Sequence, residues 1–283
     1  MKSTLGYFRR NPTLAVGLSF LLILILFTSV GRLFVDPEHA YPLSVPANLP
    51  PSAEYPFGTD REGRDLLAAM IVGTGMTLEI GAIAGAIGLA LGIVLGFVAG
   101  YTGGIIDTVI TSLIDIWMSI PSFLLLILIA SAFSKVTLGV TQMGLIVAIV
   151  SWAGPARAIR AQVLSMRERP FIMMSKLSGM GAFEIIMKEL VPNLLPYLVM
   201  SLSQSVYGAI MASLGLEALG IGSRREPTMG MTLYNVNYYS AFLVGMWWWI
   251  LEPTLVIIFT LTSLVLTSIG LDEIANPRRR RTV

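Results

Sequence analysis

The sequence predicts an all-α polytopic membrane protein with six transmembrane helices, on three observations. Its 283 residues are 55% apolar and 13% charged, with a mean hydropathy of +0.77, whereas soluble domains carry roughly 25% charged residues. Apolar stretches long enough to cross a hydrocarbon core about 30 Å thick recur six times. Most basic residues collect on one side of those stretches.

The spans fall near 14–31, 80–99, 105–133, 138–156, 194–214 and 242–269. The first follows Lys2, Arg9 and Arg10. It exceeds the apolar length of a signal peptide and lacks a small-residue cleavage motif, so it reads as a retained anchor. With the N-terminus in the cytoplasm, Lys2, Arg9, Arg10, Arg157, Arg160, Arg167, Arg169, Lys176, Lys188 and the four arginines 278–281 lie inside. Arg32, Arg61, Arg64, Lys135, Arg224 and Arg225 lie outside or at the boundary. That asymmetry satisfies the positive-inside rule for a multi-pass plasma-membrane protein with both termini cytoplasmic. The C-terminal arginines also suit contact with lipid headgroups.

The outer segment 35–75 holds six prolines, from Pro37 to Pro56, which deny backbone donors and favour extended chain. It is expected to be an irregular cap. Span two carries Gly88, Gly92, Gly96 and Gly100 at every fourth position, after Gly81 and Gly85. Such a ridge lets another helix approach closely, either within the subunit or at a seam between subunits.

A polar, doubly basic insert, 157–196, separates spans four and five. Ser165, Met166, Arg167 and Glu168 fit a capping box, and Pro170 is tolerated near a helix start. Gly179 and Gly181 interrupt the helical pattern as a C-cap and tight turn would. A second short helix follows over about 182–190, with Phe183, Ile186, Met187 and Leu190 on one apolar stripe. Pro192 and Pro196 are expected to end it and launch span five.

Several function classes drop out. A formal charge of +2 gives no case for nucleic acid. There is no cysteine and a single histidine, His39, so disulfides, thiolate metal sites and a Cys nucleophile are excluded. No Gly-rich phosphate loop with a following Lys-Ser or Lys-Thr occurs, so this chain hydrolyses no ATP.

Ionisable groups inside spans are functional candidates by default. Asp107 lies near a span end and can reach water. Asp115 sits two turns deeper, before Pro121, which suits a kinked helix facing a path. Glu252 stands beside Pro253, after Trp247, Trp248 and Trp249, a run that reads as an interfacial belt. Ser201, Gln204, Ser205 and Gly208 make a narrow polar face on span five, serving helix–helix hydrogen bonding or a translocation wall. Outside, Glu217, Arg224, Arg225 and Glu226, with Tyr234, Tyr238 and Tyr239, suit either docking of a soluble partner or an interface-anchored loop.

The order Arg167-Glu168-Arg169, Met173-Met174-Ser175, Gly179, Ile185-Ile186, Val191-Pro192-Asn193 and Pro196 resembles the cytoplasmic signature of permease subunits of bacterial and archaeal ABC importers. Phe57-Gly58-Thr59-Asp60, Gly63-Arg64-Asp65, Tyr101-Thr102-Gly103-Gly104 with Asp107, Ser151-Trp152, Ala156-Arg157 and Asn276-Pro277-Arg278 extend it. Across nearly the whole chain it resembles the second permease of the dipeptide, oligopeptide and nickel importer family.

The resemblance implies a type I ABC importer permease fold with cytoplasmic coupling helices. It implies a permease core over 76–270 with a coupling segment at 165–192, preceded by a tail, first helix and outer segment over 1–75 and followed by a basic tail over 271–283. Partners would be a homologous second permease, two ATP-binding subunits that hold ATP and Mg, and an extracytoplasmic substrate-binding protein. This chain itself would carry no cofactor.

Met173, Met174, Ser175, Lys176, Gly179, Met180 and Gly181 would couple to the ATPase. The family usually has Glu-Ala-Ala where this chain has Met173-Met174-Ser175, so docking would lean on methionine packing. The family also tends to place an arginine between its two span-three aspartates, where this chain has Ser112. Cargo would be short peptides or, from resemblance of 243–252 and 271–277 to a thermophile branch, oligosaccharides, with nickel behind both. A stand-alone ion-coupled carrier is the alternative, and it would be supported by an inverted repeat.

Overall fold

The computed structural model describes residues 11–133 and 138–275, except the side chains of 274 and 275. Lys2, Arg9, Arg10, Lys135 and the basic ending with Asn276-Pro277-Arg278 lie outside the described residues.

Helix α1, Pro12–Ser29, starts on a proline whose missing N–H would be unpaired there anyway. Two single turns of 3-10 helix and an irregular segment lead to α2, Leu66–Thr102. The Asp65 side chain caps α2 by accepting from the Leu67 N–H at 3.0 Å. This cap starts the helix earlier than expected, so 66–75 is helical and only 35–65 forms the cap. At 1.5 Å per residue its 37 residues run about 55 Å, longer than the bilayer core. Gly103 and Gly104, with φ of 70° and 58°, end it in a left-handed turn that glycine adopts without strain.

Expected span three is two helices, α3 (Gly104–Ser119) and α4 (Ser122–Ala132), bent by 84°. Pro121 forces Ile120 into an extended conformation, ψ 129°, which breaks the helix. Expected span four is likewise α5 (Val140–Ser151) and α6 (Ala153–Arg167), bent by 46°. Among the described residues four helices are long and apolar enough to cross a membrane, and up to six spans result if each bent pair counts as one.

Helix α6 runs to Arg167, so Ser165 lies inside its last turn and the expected capping box does not form. The next helix, α7 (Pro170–Leu177), takes Arg169 as its cap residue. A short α8 (Ala182–Ile185) passes through a π turn, Ile186–Leu190, into α9 (Val191–Ala218) without a break. Pro192 does not end the helix as expected. It falls where the wider π register hands back to α, and the hydrogen-bond ladder is already interrupted there. Pro196 is accommodated inside α9. Helix α10 (Met229–Tyr238) and helix α11 (Trp247–Ala275) complete the described residues.

The glycine ridge resolves to packing within the subunit. A methyl group at Gly92 would sit 2.7 Å from the Pro155 side chain, at Gly96 2.9 Å from the Ala156 carbonyl, and at Gly100 2.8 Å from Val163. Helix α6 therefore lies directly on the α2 backbone, while Gly81 and Gly85 face Ile210 and Val206 of α9. Leu89, Phe97, Ile159, Val163, Ile172, Ile185 and Leu190 close one core behind this contact.

Helix α1 packs along α11, with Phe20 and Phe259 stacked at 4.6 Å and Thr13 donating to Glu273 at 3.4 Å. The start of α1 and the end of α11 thus share the end of the bundle opposite the cap. At the cap end the tryptophan run divides. Trp249 is fully buried with Leu66, Trp248 lies over Gly58, and Trp247 alone, 60% exposed, fits the expected belt position.

Candidate functional site

The insert folds as a helix, a glycine turn and a helix, and it is fastened to α2. Ile172 and Ile185 are buried in the core, as is Leu190 of the π turn. Gly179, φ 84°, turns the chain while the Met180 N–H reaches back to the Ser175 carbonyl at 3.2 Å. The Lys176 ammonium lies 5.6 Å from the Tyr101 ring centre, and Arg167 donates to the Gly100 carbonyl at 3.0 Å. Several large apolar side chains remain outside, Met173, Met174, Leu177 and Phe183, all more than half exposed, with Lys176, Ser178 and Lys188 exposed among them. The expected single stripe on 182–190 is therefore split, with Leu190 turned inward and Phe183 and Met187 outward. Exposed large apolar side chains of this kind make the insert a candidate interaction site.

Next to it, α3 and α6 are joined by two ion pairs. Asp107 receives two bonds from Arg160, at 2.5 and 2.7 Å, and Asp115 pairs with Arg157. The partner missing at Ser112 is thus supplied from the facing helix. Sequence reading counted these arginines toward orientation and missed the pairing, because nothing along the chain sets the register of α3 against α6. Trp117 and Trp152, 5.6 Å apart, continue the contact.

Three of the five residues expected on the path come together. Ser201, Gln204 and Ser205 line a concavity of about 290 Å³ with Tyr197 and Ser151. It adjoins a cavity of about 460 Å³ behind Trp117 and Phe123, and Ser151, Gly154 and Gly208 belong to both. Asp115 and Glu252 line neither. Asp115 is engaged by Arg157, and Glu252, on α11, has a buried carboxylate oxygen with no hydrogen-bond partner among the described residues.

At the cap end, Asp60 accepts the backbone N–H groups of Glu62 and Arg64 at 2.8 and 2.9 Å. Burial nevertheless pushes its carboxyl up to about 6. Arg64, 1% exposed, donates to Glu62 and to the Arg224 carbonyl, both at 2.7 Å. Tyr239 and Asn235 donate to the same Glu62 carboxylate at 3.1 and 3.3 Å. The cap and the 219–246 segment are thereby one unit. Glu217 departs from the docking expectation: it is 2% exposed and sits beneath Gly230 at the start of α10. Arg224 and Arg225 are exposed, and Glu226 is half-buried.

Residues 92–281 match the family described as binding-protein-dependent transport system inner membrane component. The chain belongs to that family. It is 32% identical to the dipeptide transport system permease protein DppC of Bacillus subtilis (strain 168), over 96% of this chain and 84% of that one. It is equally 32% identical to DppC of Escherichia coli (strain K12), over 97% and 92%. The oligopeptide transport system permease protein OppC of Bacillus subtilis (strain 168) is 26% identical, over 99% and 90%. A chain of the inward-facing MetNI methionine ABC transporter shares the fold, with a TM-score of 0.54 over 74% of this chain and 96% of that one, at 21% identity.

As an inner membrane component, this chain is a non-catalytic permease subunit of an ABC importer. It forms half of a translocation path alongside a paired permease, ATPase subunits and a binding protein. It is a multi-pass protein of the plasma membrane.

Proposed function

We propose that this permease carries short peptides, with both termini and the 165–192 segment in the cytoplasm, and that this segment receives work from the ATPase. The observation that carries the reading is the exposed Met173, Met174, Leu177 and Phe183 surface, held on a helix–turn–helix that is itself fastened to α2. Flexible thioethers adapt to a groove where a carboxylate contact is absent. Ser175, Lys176, Gly179, Met180 and Gly181 shape the turn and its attachment. The Ser201, Gln204 and Ser205 face is this subunit's share of the path, and Arg224 and Arg225 face the binding protein.

Similarity to permeases named for dipeptides and oligopeptides favours peptide over oligosaccharide. The boundaries at 76 and 271 then mark the ends of the permease core, with 66–75 joined to it through α2.

Gly179→Pro and Met174→Asp test the coupling role in the reconstituted complex. Peptide uptake is expected to fall at least tenfold while the two permeases still co-purify. Unchanged uptake in both variants overturns the reading. Uptake by the permeases alone, without ATPase, would instead support an ion-coupled carrier. Competition of labelled dipeptide uptake by oligosaccharide, and not by peptide, would reverse the cargo.

A further inference from the structure

At the cap end three guanidiniums are presented in the same way. Arg61 lies over the Tyr239 ring at 5.7 Å, Arg224 over Tyr238 at 4.9 Å and Tyr234 at 5.7 Å, and Arg225 over Tyr41 at 5.9 Å. All three are exposed. None is in a salt bridge among the described residues. Glu62 and Glu226 lie near them, but Glu62 is taken by buried Arg64, and one Glu226 oxygen is enclosed in the protein.

The platform is rigid. Arg64 fixes the Arg224 backbone, Glu62 fixes the Tyr239 hydroxyl, and the tyrosines pack on one another at 5.5 and 5.0 Å. Stacking of this kind orients a guanidinium, Arg224 being held further by a side-chain hydrogen bond with Tyr238, and leaves other donors of the five for carboxylates.

Beside it stands Leu43, 92% exposed, with φ 64° and its N–H held by the Glu62 carbonyl at 2.8 Å. A bulky residue in the left-handed region is strained, and an exposed apolar one gains nothing there by burial. Strain kept at an exposed apolar tip suits a contact with another molecule.

We propose that Arg61, Arg224, Arg225 and Leu43 form the landing surface for an acidic face of the substrate-binding protein, with Leu43 entering an apolar recess between its carboxylates. This rests on the docking role given above to Arg224 and Arg225, and adds the partner's chemistry and two further residues. Tyrosine-backed arginines lose little freedom on pairing, which suits a partner that must land, deliver and leave.

The test uses the full complex in nanodiscs, reading ATPase stimulation against concentration of the cognate binding protein. Arg224→Glu with Arg225→Glu is expected to raise the half-saturating concentration at least tenfold, to keep maximal stimulation, and to flatten its dependence on salt. Arg61→Gln is expected to raise it severalfold. Leu43→Gly is expected to weaken half-saturation while leaving the cap as protease-resistant as before, an outcome that a purely structural role for Leu43 would not give. Lysine placed at the acidic face of the binding protein should restore the charge-reversed variant.

Unchanged half-saturation in both arginine variants overturns the proposal. So does an effect that appears only in anionic lipid, which would assign the arginines to headgroups. If the unaltered complex shows no stimulation at all, the importer reading fails instead of the landing surface.

Discussion

Gly92 and Gly96 are tightly constrained, because Pro155 and backbone atoms of Ala156 on α6 occupy the space a side chain would need. Gly92→Leu and Gly96→Leu are expected to destabilise the subunit by about 1–3 kcal/mol or more, the usual scale of overpacking. Gly154→Ala, where nothing lies within 4 Å, should be neutral; thermal shift in detergent compares the three. Asp60 makes a second residue-scale prediction. Its folded value of about 6 lies above the ordinary 3.8, so the folded cap takes up a proton between these limits. Cap stability should therefore rise as pH falls from about 7 through 6 toward 4, by up to about 3 kcal/mol. Burial raises Asp65 in the same direction. Amide exchange at Glu62 and Arg64, corrected for intrinsic rates, should slow across that window, and Asp60→Asn should flatten the response.

Between elements, the register of α3 on α6 rests on Asp107–Arg160 and Asp115–Arg157. Removing one partner of a charged pair of this kind costs about 1.5–3 kcal/mol where it is shielded. Asp107→Asn should thus loosen α3 measurably in a thermal shift, and the exchange Asp107→Arg with Arg160→Asp should recover part of the loss; no recovery would deny the pairing. The spans were legible from apolar length, and the insert's helix, turn and helix from Pro170 and Gly179. The breaks were less so. Pro121 signalled a kink, but its 84° depends on α4 finding a seat against α5. The continuity of 182–218 through two prolines was hidden, since a π turn leaves no composition signal. The candidate site was legible where neighbours in sequence make it, as in Ser201, Gln204 and Ser205. It was illegible where distant segments meet, as in Arg64 beneath Arg224 and Trp249 stacked on Tyr239 at 5.9 Å. Glu217 was misplaced for the same reason: its charge read as outer surface, and only the approach of Gly230 encloses it.

For the whole molecule, the start of α1 and the end of α11 come together at the end carrying α7 and α8, and the cap and α10 occupy the other. The chain has no cysteine, so one introduced thiol reports alone. Ser178→Cys should resist a membrane-impermeant maleimide in intact cells and Ser52→Cys should react; the reverse pattern would invert the proposed orientation. Helix α1 leans on α11 through Gly17 against Thr267 and Gly270 against Leu14, each closer than 3 Å to a substituent methyl. That seat does not exist until Trp247 and the residues after it have been made. At about 5–20 residues per second, the first helix waits on the order of ten seconds or more for the last. During biosynthesis it must be sheltered by lipid or by the insertion machinery, and its docking closes the nascent bundle like a clasp.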